Sequence, residues 1–174
     1  MREEQIKKKE KFKIKTFQVP FALEENQKNL TITTNTSSKP SKQEIINQAI
    51  NFHLKGNISE ATKYYKYCIN HGFIDHRVFS NYGLILKNIG DWKKAELFTR
   101  KAIEIKPDFP EAYLNLGIIL RDLRKLKEAE LLVRKAIELK ANFANAHLNL
   151  GTILVALSNL KEAELSVRKA IELN

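Results

Sequence analysis

The sequence of 174 residues has few of the residues that several other folds require. Its single cysteine excludes a disulfide within the chain, and one cysteine with four histidines is a poor basis for a structural zinc site. Six glycines and four prolines are too few for a β protein built from many tight turns. No apolar run is long enough to cross a bilayer, so we expect no membrane association.

Charge is plentiful and unevenly placed. The chain carries a net charge of +10, with 43% hydrophobic and 29% charged residues, which is typical of a soluble folded protein. Residues 1–41 are basic, and the excess lies in the first fifteen residues. This polar tail lacks a sustained helical or strand period, so we expect it to be disordered. Its short apolar stretch contains Pro20 and no cleavage site, which favours a cytoplasmic protein over a secreted one.

The rest of the chain repeats every 34 residues. Two sets of small residues recur at this spacing: Gly83, Gly117 and Gly151, and Ala61, Ala95, Ala129 and Ala163. The strings KEAELLVRKAIEL and KEAELSVRKAIEL differ at one residue. The repeat divides the chain into four units: 42–75, 76–109, 110–143 and 144–174.

Each unit has the pattern of two helices. In the third unit, apolar residues recur at three- and four-residue spacing in both halves: Ala112, Leu116, Ile119 and Leu123, then Leu126, Ala129, Val133 and Ala136. Gly90-Asp91 marks the break in the second unit, as a helix stop followed by a cap. We expect the glycine or alanine at the eighth place of a unit to meet the alanine at the twentieth place, because two helices approach closely only where side chains are small.

These units resemble tetratricopeptide repeats, which have Gly at place eight, Ala at places twenty and twenty-seven and an aromatic residue near place four. The resemblance covers 42–174 and implies an all-α, right-handed α-α superhelix of four helix-turn-helix repeats. It also implies a concave groove, lined by the first helix of each unit, that binds a peptide or a partner protein. The resemblance implies no cofactor, no metal and no small-molecule substrate.

The family's inner face falls on a recurring asparagine in this sequence. One asparagine occupies the sixth place of every unit: Asn47, Asn81, Asn115 and Asn149. An amide both donates and accepts, so such a row can hydrogen-bond the backbone of an extended peptide, as in the similar asparagine ladder of the O-GlcNAc transferases. Alternatively, these asparagines are a common feature of the family without a role in binding. The other groove candidates form an apolar floor, Leu84, Leu114, Ile118 and Leu148, and a basic edge able to pair with an acidic ligand, Lys87 and Arg121.

Three functional hypotheses follow from this pattern. The first is a non-catalytic protein–protein interaction scaffold, since the chain has no phosphate loop, nucleophile elbow or metal-spaced histidines. The second is the substrate-recruiting module of a glycosyltransferase- or sulfotransferase-type enzyme whose catalytic part is separate. The third is a nucleic-acid binder that uses the lysine-rich start, which we do not expect because basic tails more often act as solvated or electrostatic segments.

The last unit ends without the additional helix that covers the final repeat in many family members. Leu165, Ile171 and Leu173 occupy recurring apolar places there, so self-association through this helix is a further possibility. Ser166 replaces a larger residue of the earlier units, which we interpret as a slight adjustment to solvent. The larger residues at that place are Tyr64, Phe98 and Leu132.

Overall fold

A computed structural model describes residues 15–19, 30–34 and 40–173 of the chain. Within these residues, eight helices follow one another: α1 Lys42–Leu54, α2 Ile58–Asn70, α3 His76–Asn88, α4 Trp92–Ile105, α5 Pro110–Asp122, α6 Leu126–Leu139, α7 Ala144–Ala156 and α8 Leu160–Glu172. The most extensive packing joins α1 to α2, α3 to α4, α5 to α6 and α7 to α8. The expected all-α architecture of stacked helix pairs is therefore confirmed, and the first helix of each pair begins where an expected unit begins.

Two short strands precede the helices. β1 Lys15–Val19 pairs antiparallel with β2 Leu30–Thr34, so that Phe17 lies opposite Ile32. These strands were not predicted from the sequence, although both segments are rich in threonine and large apolar residues that favour strands. Ser41 is the N-cap residue of α1 and forms a capping box with Glu44, in which each side chain accepts from the backbone N–H of the other residue. The expectation for the rest of 1–39 lies outside the described residues.

The helix pairs stack into a curved array. Each first helix contacts the first helix of the next pair, so that α1 meets α3, α3 meets α5 and α5 meets α7. Consecutive second helices make no comparable contact within residues 40–173. The first helices are therefore closer together and line the inner side of the curve, which we call the concave groove.

In the last three pairs the two helices approach closely at the eighth place, which is glycine there. A Cβ atom on Gly117 would lie 2.5 Å from Val133 Cγ2 and 3.3 Å from the carbonyl oxygen of Ala129. At Gly151 the matching distances are 2.6 Å to Val167 Cγ2 and 3.3 Å to the carbonyl oxygen of its own alanine. The expected obstacle was the alanine at place twenty, but the nearest atom belongs to the side chain at place twenty-four, and the alanine contributes its backbone.

The turns inside the pairs share one conformation although their residues differ. Gly90 has a φ of 85°, and Arg124 and Ser158 at the matching places both have a φ of 63°. Asp91 N donates to Leu86 O at 2.9 Å, and the matching bond from Lys125 N to Leu120 O is also 2.9 Å long. The later turns keep this left-handed geometry without glycine because the same backbone hydrogen bonds close the helix.

The two ends of the array differ. On α1, polar residues stand at places where the later first helices carry mostly buried apolar residues: Glu44, Gln48, Asn51 and Lys55. At the other end Ile171 is 70% exposed, whereas Ile103 and Ile137 at the matching places pack against the core. The first described helix is therefore polar at these places, whereas the last described helix exposes an apolar side chain.

Replacing Gly117 tests the close approach of the helices. Gly117→Ala should lower the free energy of unfolding by about 1–3 kcal/mol because its Cβ overlaps the buried Val133 side chain. Gly117→Leu should lower the free energy of unfolding further. Chemical denaturation measures both variants. In a Val133→Ala background the cost of Gly117→Ala should shrink, and an unchanged cost would show that Val133 is not the obstacle.

Glycine at the later turns should increase stability. Arg124→Gly and Ser158→Gly should each raise the free energy of unfolding by up to about 1 kcal/mol, because a side chain in the left-handed region is strained. Gly90→Ala, at the same place in the second pair, should lower it by a similar amount. A loss of stability in both glycine variants would mean that their side chains compensate for the strain.

Candidate functional site

The candidate site is the concave groove formed by α1, α3, α5 and α7. All four asparagines of the predicted ladder lie on these helices. Their exposure varies: Asn47 is exposed, and Asn81, Asn115 and Asn149 are half-buried. The helices thus bring the four residues to one face, but the surroundings of the four amides are not the same.

The two central asparagines are each held by the preceding repeat. Asn81 Nδ2 donates to the Tyr65 hydroxyl at 3.1 Å, and Asn115 Nδ2 donates to Ser80 Oγ at 2.9 Å. Neither Oδ1 has a hydrogen-bond partner among the residues that the structure describes. The contact to the previous repeat fixes the amide and leaves its acceptor unused.

The two outer asparagines have engaged acceptors. Asn47 Oδ1 accepts from Gln43 Nε2 at 2.8 Å, and Asn149 Oδ1 accepts from Arg121 Nη1 at 3.1 Å. Asn149 Nδ2 also donates to the carbonyl oxygen of Asn145. The ladder is therefore not uniform, since only its central amides present a free carbonyl oxygen.

The residues that position these amides were not predicted from the sequence. Tyr65 is fully buried, and its hydroxyl lies 3.2 Å from His53 Nδ1 as well as accepting from Asn81. Because the hydroxyl accepts from Asn81, its own proton is free for His53 Nδ1. Burial raises the pKa of Tyr65 to about 12 and lowers the pKa of His53. The available signal was Tyr65 itself, a large residue where later units have threonine or valine.

The predicted apolar floor is only partly accessible. Leu84 and Ile118 are half-buried, and Leu148 is 46% exposed. Leu114 is 6% exposed, so its assignment to the groove surface is wrong. Leu114 occupies the same place as the buried Ser80, and in the middle of the array this place is covered by the neighbouring repeat. Leu148 has no described repeat after it and remains open.

The basic edge of the groove is already paired. Lys87 Nζ lies 3.3 Å from Asp122 Oδ2, and Arg121 Nη2 lies 2.8 Å from Asp122 Oδ1. The repeat pattern of the sequence did not reveal Asp122 as the partner of both cations. An acidic ligand would have to replace Asp122, so the pairing that we expected of Lys87 and Arg121 is satisfied within the protein.

Among the described residues, no group of three histidine, cysteine or acidic side chains is arranged to hold a metal ion. The helices described here include none with the length and hydropathy needed to cross a membrane.

Family models match most of the array. One tetratricopeptide repeat model matches residues 76–109 and 144–174, and a second matches residues 98–130. Residues 76–130 and 144–174 of this chain therefore carry tetratricopeptide repeats. A comparison with curated protein sequences finds no match.

Solved structures share this tetratricopeptide repeat fold at low identity. MamA from Desulfovibrio magneticus RS-1 is 20% identical with a TM-score of 0.66, over 76% of this chain and 75% of that one. YrrB, described as a tetratricopeptide repeat protein with an unusual peptide-binding site, is 21% identical with a TM-score of 0.64, over 77% and 69%. A chain of the Cut9–Hcn1 complex is 18% identical with a TM-score of 0.71, over 77% and 27%. At this identity the likeness establishes the fold.

Asn115 should contribute to stability as well as to the groove. Asn115→Ala should lower the free energy of unfolding by about 1–3 kcal/mol, because the buried Ser80 hydroxyl loses its partner. In a Ser80→Ala background the same change should cost much less. Denaturation of the two single variants and the double variant measures this difference. Additive losses would show that the hydrogen bond does not couple the two repeats.

Stability should fall on mild acidification. Burial lowers the pKa of both His53 and His76 below 6.5, so the unfolded chain binds more protons than the folded one below that value. The free energy of unfolding should therefore decrease as the pH falls from about 7.5 towards 5, measured by denaturation across that range. His53→Gln keeps an acceptor for Tyr65 and should reduce the slope, and adding His76→Gln should reduce it further. A slope unchanged in the double variant would exclude these two side chains as its cause.

Proposed function

We propose that the chain is a non-catalytic protein–protein interaction scaffold that binds an extended peptide or partner segment along the concave groove. The observation that supports this most directly is the pair of central amides. In Asn81 and Asn115 the Nδ2 group donates to the preceding repeat, and Oδ1 is available to accept a hydrogen bond from a ligand. The two amides stand 34 residues apart on equivalent helices, so they offer acceptors to successive stretches of one extended chain.

The ligand's main chain, rather than its charge, would be the recognised feature. An amide oxygen accepts from a peptide N–H whatever the side chain, so recognition by Asn81 and Asn115 depends little on sequence. Ile118 and Leu148 offer apolar surface beside these amides. Because Asp122 neutralises part of the basic edge, we do not propose selection for an acidic peptide.

The remaining functional predictions accompany this proposal. A cytoplasmic location and the absence of a small-molecule substrate, of membrane association and of nucleic-acid binding stay predictions. Self-association through α8 also stays a prediction, and the exposed Ile171 supports it. The polar residues along α1 do not complement that apolar end, so such contact would join two copies of α8 rather than form a head-to-tail filament.

Binding of a selected peptide tests the proposal. Peptides would be selected from a random display library on the intact chain, and the affinity of the best one measured by calorimetry. Asn115→Ala in a Ser80→Ala background should weaken binding about fivefold relative to Ser80→Ala alone, the loss of roughly one hydrogen bond. The shared background removes the effect on Ser80 and isolates the ligand contact.

A control on the outer side completes this test. Glu164→Ala removes an exposed ion pair with Arg168 on α8 and should leave peptide affinity unchanged. Adding Asn81→Ala to the groove variant should weaken binding further. Selected peptides that bind all of these variants equally would show that the concave groove is not the binding surface.

A further inference from the structure

A second cleft lies away from the concave groove, where α6, α7 and α8 meet. It has a volume of about 490 Å³, and its apolar lining comes from Ile137 on α6, Leu150 on α7 and Leu165 on α8. His147 on α7 and Ser166 on α8 also line the cleft. We call this cleft the terminal notch. It opens between α6 and α8, and none of its lining residues is one of the groove residues named above.

The second helix pair shows what fills the matching space. Phe98 occupies the place of Ser166, and its ring centroid lies 5.2 Å from that of Tyr82 and 6.0 Å from that of Phe79. Tyr82 and Phe79 occupy the places of Leu150 and His147. In the second pair an aromatic ring at this place therefore packs on the first helix. In the last pair this ring is missing.

The sequence suggested that Ser166 is an adjustment to solvent, but the side chain is buried. It is 7% exposed, and its hydroxyl donates to the carbonyl oxygen of Glu162 at 2.9 Å. His147 does not replace the missing ring, because its Nε2 lies 3.0 Å from the carbonyl oxygen of Ala141 in the preceding turn. A small buried residue and a tethered imidazole together leave apolar side chains bordering open volume.

The charged groups around the notch are already paired. Arg134 Nη2 lies 2.9 Å from Glu130 Oε1 and 2.5 Å from Glu162 Oε1, and Lys169 Nζ lies 3.0 Å from Glu172 Oε2. An ionic ligand would have to break one of these pairs. An uncharged ring would gain apolar contact without doing so.

We propose that the terminal notch is an anchor site for one aromatic side chain, phenylalanine or tyrosine, of a protein partner. The partner's ring would take the position that Phe98 holds in the second pair and would contact Leu150 and Leu165. Buried aromatic anchors in pockets of this kind dominate many protein interfaces. The site does not depend on the proposed use of the concave groove, so either surface can be disproved without the other.

Two small probes test the notch in the intact chain. p-Cresol mimics a tyrosine side chain, and N-acetylphenylalaninamide adds a peptide backbone to the ring. Each would be titrated while the methyl signals of Leu150 and Leu165 are followed by NMR. We expect saturable shifts with a dissociation constant of about 1 mM, typical of so small a ligand. The absence of a saturable shift with either probe would overturn the proposal, since both the ring and a ring carried by a peptide must enter.

Filling the notch provides the decisive variant. Ser166→Phe restores the residue of the second pair and should weaken binding of both probes at least tenfold while raising the melting temperature. Ser166→Leu restores the residue of the third pair and gives the same test if the phenylalanine variant does not fold. The Ser80→Ala/Asn115→Ala variant, which alters only the groove, should bind both probes as the unmodified chain does. Undiminished binding to the filled variants would place the probes elsewhere and overturn the assignment.

Discussion

The whole array depends on how closely the two helices of a pair can approach. At Gly83, Gly117 and Gly151 there is no room for a Cβ, because the side chain of the facing helix occupies that position. Such contact lets the backbones pack tightly and places each pair in nearly the same geometry as the last. The spacing of the first helices, and with it the curvature of the groove, follows from this repeated contact. A methyl group at one of these glycines therefore acts on the shape of the groove as well as on stability.

The groove satisfies much of its own hydrogen-bonding capacity. Asn81 and Asn115 bind to the repeat before them, Asn149 is engaged by Arg121, and Asp122 neutralises the basic edge. These contacts cross from one repeat to the next, so the polar inner surface also helps to fix the stacking. A ligand meets a surface with few unused groups at defined positions. Preorganised acceptors of this kind reduce the entropy lost on binding.

The first and last helix pairs differ from the pairs between them. The first pair presents polar residues where later pairs present apolar ones, whereas the last pair keeps Ile171 exposed and leaves the terminal notch unfilled. Ser166 is the clearest departure, because it interrupts a run of large residues at a buried place. A departure from the repeat pattern at a buried place indicates a candidate functional position, since repeat stacking alone favours the same kind of residue in every unit.

The sequence by itself determined the helix pairs, the residue at which each pair begins and the helices on which the asparagines lie. A period of 34 residues with glycine and alanine at fixed places admits few other arrangements. The sequence did not predict β1 and β2, because their alternating pattern is only five residues long in each strand. Only the tertiary structure decided which groove residues are free. Leu114 is covered by the neighbouring repeat, Lys87 and Arg121 share Asp122, and Tyr65 and Ser80 hold the central amides. Most of these contacts join residues from different repeats, which no periodicity within one helix can reveal.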